Sequence, residues 1–180
     1  MDTARGNFID GAWVMPEAVR TIRSINPASD DQVVMEAPID PAHMQVATAA
    51  AAEAYGPWSA MSHGERVLLL ERFALELDKR VDGMAAAITA EMGKTLREAR
   101  QECQGLVARG RMVANQQIPR VSTWTAPGVA GECRYRPLGV IGVVGPYNFP
   151  LHLGHAHIIP ALATGNTVVL KPTSRCPLTA

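Results

Sequence analysis

Two short segments carry residue types that could do chemistry. Gly145-Pro146-Tyr147-Asn148-Phe149-Pro150 sets a carboxamide between two prolines. Proline fixes φ, so few directions are open to the N–H donors of Asn148. A donor held that way suits an oxyanion developing on a substrate. Lys171-Pro172-Thr173-Ser174 offers an ammonium and two hydroxyls, a set able to grip ribose or phosphate oxygens. Each segment also has a plainer reading. Asn148 alone is a turn asparagine bonding its own backbone, and Lys171 alone is a surface lysine. Gly139, Gly142 and Gly145 miss the GxGxxG spacing. His152, His155 and His157 lack a carboxylate or thiolate at ligand spacing, so no metal is expected. Cys103, Cys133 and Cys176 are odd in number and form no CxxC pair. They read as packed hydrophobes in a reducing compartment rather than reactive thiols.

Both segments need elements to position them. Residues 138–144 form an apolar, β-branched run, the pattern of a strand buried on both faces, and residues 167–170 form another. Between them residues 151–163 predict a helix closed by Gly165-Asn166. Strand, helix, strand makes a βαβ unit with parallel strands and a right-handed crossover. In open parallel sheets ligands bind beyond the carboxyl ends of the strands, where both candidate segments fall.

Upstream, Asp10-Gly11 between Phe8-Ile9 and Trp13-Val14 predicts a hairpin. Short strands follow at residues 22–25 and 33–34. Asp40-Pro41 opens an alanine-rich helix expected to stop at Gly56-Pro57. Ser62-His63-Gly64-Glu65 has capping-box spacing. Val67, Leu70, Ala74, Leu77, Val81, Met84 and Ile88 then mark one apolar stripe on a helix or on two in succession. Glu71, Glu76, Asp78, Lys79 and Arg80 read as solvated surface. Gly93 breaks that segment, and a further helix is expected over residues 95–117 with Arg97, Glu98, Arg100 and Glu102 outward. Residues 121–125 and 132–136 flank Pro127-Gly128 and predict an antiparallel pair that projects as an arm.

The chain has 180 residues, 47% hydrophobic, with 17 basic and 17 acidic side chains that cancel. That size fits one domain or part of a larger one. The neutral balance removes the electrostatic footprint of nucleic-acid or anionic-membrane binding. No apolar run is long enough to span a bilayer, and no signal-peptide apolar region follows the first residues. A soluble, cytoplasmic protein is expected.

Arg136-Pro137-Leu138-Gly139-Val140-Ile141-Gly142, the Gly-Pro-Tyr-Asn-Phe-Pro segment, and the stretch from Pro160-Ala161-Leu162 to Val169-Leu170-Lys171-Pro172 closely resemble the aldehyde dehydrogenase superfamily. Phe8-Ile9-Asp10-Gly11-Ala12-Trp13-Val14, Asn26-Pro27-Ala28, Trp58-Ser59-Ala60-Met61-Ser62 with Glu65-Arg66, and Glu91-Met92-Gly93-Lys94 extend the resemblance over nearly the whole chain. His152-Leu153 and His157-Ile158-Ile159-Pro160 look most like the succinylglutamate-semialdehyde branch.

The resemblance implies oxidation of an aldehyde to a carboxylic acid, with NAD or NADP as cofactor. In that chemistry a cysteine thiolate attacks the aldehyde, hydride leaves the hemithioacetal, and glutamate-activated water cleaves the thioester. It implies a catalytic role for Asn148 as the oxyanion donor. Val144, Gly145, Pro146 and Tyr147 would line the cofactor, with Lys171 on the adenosine ribose and Pro172, Thr173 and Ser174 beside it. Where many NAD-preferring members carry glutamate this chain has Ser174, so the repulsion of a 2′-phosphate is gone and NADP should be tolerated.

The implied fold class is α/β, the N-terminal portion of a Rossmann-like cofactor-binding domain with a βαβ unit and a projecting hairpin arm. Residues 1–118 would supply its first strands and helices, 119–136 an oligomerisation arm, and 137–180 the start of a truncated parallel sheet. The family's nucleophilic cysteine, general-base glutamate and second glycine-rich turn fall beyond Ala180, and Cys176 matches no catalytic position. The chain is therefore expected to be an inactive fragment, homo-oligomeric in the full-length protein, taking a small-molecule aldehyde. Two alternatives remain. One is a non-catalytic module that associates with full-length subunits through the arm. The other is an acylating relative that passes its thioester to a different acceptor.

Overall fold

An aspartate and a glycine with positive φ turn the first hairpin. The structure is a computed structural model and describes residues 2–3, 6–17, 20–29, 31–113, 118–128 and 130–179. Strand β1 (Asp2–Thr3) is followed by β2 (Asn7–Ile9) and β3 (Ala12–Val14), which pair antiparallel across Asp10 (φ 49°) and Gly11 (φ 74°). Two positive φ values at the central positions are what the right-handed strand twist asks of a two-residue turn. Phe8 and Trp13 face each other across the pair with ring centroids 5.2 Å apart, edge to face. Strands β4 (Arg20–Ile25) and β5 (Val33–Ile39) run antiparallel, and β1 joins β5 in parallel to complete a three-stranded sheet.

Helix α1 (His43–Ala60) follows. The Asp40 carboxylate accepts the Ala42 N–H at 2.8 Å, so the expected acceptor acts one turn before the helix proper. The predicted stop at Gly56-Pro57 is wrong: α1 continues through Pro57 to Ala60. Pro57 forfeits one bond, to the carbonyl of exposed Glu53, which water can serve. Beyond it the helix is anchored from outside. Trp58 donates its indole N–H to the Leu162 carbonyl at 3.1 Å, and the Arg66 guanidinium donates to the Trp58, Ser59 and Met61 carbonyls.

Helix α2 (His63–Asp78) opens on the expected capping box, Ser62 with Glu65. The apolar stripe belongs to two helices, α2 and α3 (Val81–Met92), with Leu70, Ala74, Ala85 and Ile88 buried. Gly93 ends α3 at φ 69°. A second capping box, Thr95 with Glu98, starts α4 (Leu96–Met112); the predicted extension to residue 117 reaches outside the described residues. Leu70, Ala85, Ile88, Ala99, Cys103, Leu106, Val113, Leu151 and Ile159 form one core that joins α2, α3 and α4 to the helix that follows.

The arm is shorter than predicted. A 3-10 turn takes Ile118–Val121, leaving β6 (Trp124–Thr125) to pair antiparallel with β7 (Glu132–Cys133). The βαβ unit then forms as read. Strand β8 (Val140–Val144), helix α5 (His152–Ala163) and β9 (Thr167–Lys171) follow in order, the strands parallel and in register from Val140↔Thr167 to Val144↔Lys171. Gly165, at φ 90°, makes the left-handed stop. The Asn166 carboxamide oxygen accepts from the Leu138 and Gly139 N–H groups and so ties the entry of β8 to the exit of α5. Strand β8 is not buried on both faces, and among the described residues it pairs only with β9. Val144 is 76% exposed, and Leu138, just before the strand, 88%. Helix α1 crosses the sheet, with Thr167 donating to the Ala51 carbonyl at 2.8 Å.

Candidate functional site

The parallel register delivers both candidate segments to one end of the sheet. Val144 lies opposite Lys171, and Gly145 extends the ladder by donating its N–H to the Lys171 carbonyl at 2.9 Å. A Cβ on Gly145 would sit 3.5 Å from the Pro172 Cα, so the two turns pass in contact. Pro146 and Tyr147 carry the chain across the strand end, and the Arg175 guanidinium stands 5.4 Å from the Tyr147 ring centroid. The structure thus brings Val144, Gly145, Pro146 and Tyr147 beside Lys171, Pro172, Thr173 and the turn that follows.

Asn148 comes next, exposed, and its carboxamide has no hydrogen-bond partner among the described residues. No hydrogen bond joins it to Lys171. The Lys171 ammonium is exposed and donates to the Pro172 carbonyl at 2.9 Å. Thr173 uses its hydroxyl to accept the Arg175 N–H at 3.3 Å, and Ser174 is exposed. A shallow groove of ≈ 340 Å³ runs along the sheet between Met44 and Thr48 of α1 and Val140, Gly142, Val144 and Lys171. An apolar trough ending at an ammonium fits a ligand with flat rings and a polar sugar. The donor set is therefore compatible with a dinucleotide.

The ground under Asn148 is held by residues the sequence reading placed elsewhere. Glu102 was expected outward on α4; instead its side chain is fully buried. One of its oxygens accepts from the Leu151 and His152 N–H groups, both at 3.1 Å, at the start of α5. The other accepts the Lys94 ammonium at 2.6 Å, and that ammonium also lies 3.7 Å from the Phe149 ring centroid. A carboxylate is at home against the first N–H groups of a helix, whose partial positive charge it balances. The signal for this was present but divided: Lys94 sits just past the Gly93 stop, and Glu102 just inside a helix whose cap at Thr95 had gone unread.

Glu91 does the same downstream. Buried, it accepts from the Leu178 and Thr179 N–H groups and from the Thr179 hydroxyl at 2.7 Å. Ser24 of β4 donates to the Arg175 carbonyl at 3.1 Å. The turn after β9 is fixed from two sides.

The thiols are shielded. Burial, then the Glu102 carboxylate, pushes Cys103 up to about 11. Burial, then Glu91 and Glu102, pushes Cys176 up to about 12. Neither is a thiolate near neutrality. Among the histidines, burial lowers His155, whose ring nitrogen lies 2.8 Å from the Leu151 carbonyl and whose ring stacks on Phe73. His152 is lowered by burial and by Arg109, with Glu102 opposing.

Known proteins resemble this chain in sequence and fold. An N-succinylglutamate 5-semialdehyde dehydrogenase of Burkholderia multivorans is 41% identical over 173 residues, 94% of this chain and 35% of the relative. A NAD-dependent benzaldehyde dehydrogenase from Corynebacterium glutamicum superposes with TM-score 0.86 at 32% identity, over 96% of this chain and 38% of that one. An NADP-dependent glyceraldehyde-3-phosphate dehydrogenase from Bacillus halodurans, complexed with NADP, superposes with TM-score 0.85 at 29% identity, over 95% of this chain and 38% of that one. The chain spans about a third of the length of these relatives. With the aldehyde dehydrogenase family model matching residues 13–180, the chain belongs to the aldehyde dehydrogenase family.

Proposed function

We propose that residues 137–180 form the cofactor-side crevice of an NAD(P)-dependent dehydrogenase that oxidises an aldehyde, of the semialdehyde class, to its acid. Residues 1–118 support that crevice and residues 119–136 act as an arm in subunit assembly. The observation that carries this reading is the union of two turns at the ends of parallel strands, joined by the Gly145 to Lys171 bond, with an unpartnered carboxamide and an exposed ammonium.

Asn148 donates an N–H to the oxygen that gains charge as the aldehyde is attacked; losing such a donor costs on the order of a hundredfold in turnover. Lys171 donates to ribose hydroxyls. Val144 and Tyr147 give an apolar wall that excludes water, and Ser174 adds a hydroxyl without a negative charge. NAD or NADP, when bound, supplies the hydride acceptor. The un-ionised Cys103 and Cys176 offer no attacking thiolate, so we assign the nucleophile to neither of them.

Titrating the chain with NAD+ and NADP+ by calorimetry tests the crevice. Saturable binding that weakens about tenfold or more in Lys171→Ala is expected, the loss of one charged hydrogen bond. Unchanged affinity in that variant would overturn the ribose assignment. Aldehyde oxidation by the chain that vanished in Cys176→Ser would overturn the assignment of the nucleophile.

A further inference from the structure

Asn148 is an exposed carboxamide with no hydrogen-bond partner among the described residues, so its direction is set by its flanks. On the N-terminal side the anchor is Gly145, buried and bonded to the Lys171 carbonyl at 2.9 Å. On the C-terminal side it is buried Pro150 and Leu151, whose N–H donates to Glu102 at 3.1 Å. Residues 146–149 span the gap. Within that span the Phe149 ring, 44% exposed, lies with its centroid 3.7 Å from the Lys94 ammonium. A cation is drawn to a ring face out to about 6 Å, and this contact is well inside that reach. Lys94 is itself held. Gly93 stops α3 at φ 69° and Thr95 caps α4, so its backbone is set between a helix end and a helix start. Its ammonium donates to Glu102 at 2.6 Å, with the two side chains 18% and 0% exposed. The other oxygen of Glu102 takes the Leu151 and His152 N–H groups. One buried carboxylate thus secures the turn after Asn148 twice, directly at the start of α5 and through Lys94 at the Phe149 ring.

We propose that Lys94 is a positioning residue for the oxyanion donor: gripped by Glu102, its ammonium fixes the Phe149 ring and thereby the direction of the adjoining Asn148 carboxamide. The inference rests on the reading of Asn148 given above. A donor stabilises developing charge most when it is already aimed, because no reorganisation then accompanies the reaction. Asn148 and Phe149 share one planar peptide unit, so holding the second residue limits the first. Pro150 already narrows the backbone of Phe149, and the ring contact removes side-chain freedom that remains. The ring is too exposed to add much to the core, so the contact serves direction more than burial.

NMR relaxation of the full chain labelled with 15N-asparagine tests this; the chain has five asparagines, and Asn148→Ala identifies the Asn148 signals by their loss. In the wild-type chain the Asn148 backbone amide should show the order parameter of rigid backbone, about 0.85. In Phe149→Leu, which keeps the bond between Lys94 and Glu102, it should fall below about 0.6. Lys94→Met should do the same, and Lys94→Arg, whose guanidinium can also meet a carboxylate and lie over a ring, should recover most of the loss. Asn166, whose carboxamide oxygen accepts the Leu138 N–H at 2.6 Å, should keep its order in every variant. A wild-type Asn148 amide already below about 0.6, one that stays rigid in Phe149→Leu, or an equal loss at Asn166 would overturn the proposal. Lys94→Met strands a buried carboxylate and risks unfolding the chain. Phe149→Leu then decides alone; in a folded Lys94→Met, an unchanged Asn148 amide would equally overturn the assignment. Absence of dinucleotide binding in the titrations above would instead fail the cofactor reading, an outcome on which these amide measurements do not depend.

Discussion

A buried cysteine next to a carboxylate is the opposite of an activated one. Cys103 and Cys176 are wholly buried, and burial with the neighbouring glutamates holds both protonated. Only half-buried Cys133 should react promptly with a thiol reagent at pH 8; a colorimetric thiol titration should count one fast group per native chain and three in denaturant. Glu102 is the other residue on which much depends. Removing one partner of a buried, hydrogen-bonded pair strands the other, so Glu102→Ala should cost about 3–5 kcal/mol in urea unfolding. Glu102→Gln, which keeps one acceptor, should cost less. The sequence reading put Glu102 outside, because a glutamate flanked by Arg97, Glu98 and Arg100 looks like one more charge on a wet face. Its burial comes from a contact 49 residues away, with Leu151, which helical spacing cannot show.

At the level of elements, local chemistry set most of the starts and stops. Asp10-Gly11, Ser62 with Glu65, Gly93 and Gly165 were legible because each acts on atoms within four residues of itself. Ser62→Ala and Thr95→Ala each remove an N-cap acceptor, at about 1 kcal/mol. For a chain of this size that corresponds to a fall of about 2–4 °C in Tm, measurable by calorimetry. Gly93→Ala should be worse than either. Its φ of 69° strains any Cβ, and the new atom would lie 2.8 Å from Pro27 Cγ. The helix stop at Gly56-Pro57 was misjudged for the same reason that Glu102 was. Local breakers are overruled when distant groups hold the final turn, here Leu162 through Trp58 and the Ala163 carbonyl through Arg66. In the candidate site, the pairing of Val144 with Lys171 was readable from two β-branched runs. The tie between Ser24 and Arg175, spanning 151 positions, was not.

For the whole molecule, the ionisable groups predict a stability plateau with two shoulders. His63, His152 and His155 are all lowered below the ordinary 6.5, chiefly by burial. The unfolded chain therefore takes up protons first, and stability present above about pH 6.5 is lost as pH falls through it. Glu65, Glu76 and Glu98, lowered by hydrogen bonds from Ser62, Lys79 and Thr95, add to that loss below 4.5. On the alkaline side the raised thiols of Cys103 and Cys176 favour the folded state only while protonated, so stability should decline as pH climbs above about 9. Urea midpoints measured from pH 4 to 10.5 should be flat between about 7 and 8.5 and fall on both sides. A midpoint that rose on acidification from 7 to 5 would contradict the placement of the three histidines. The carboxylate seated on the first amides of α5 carries one more consequence. Its first amides are occupied from within the chain, so any outside anion would have to displace Glu102 to settle on that helix start.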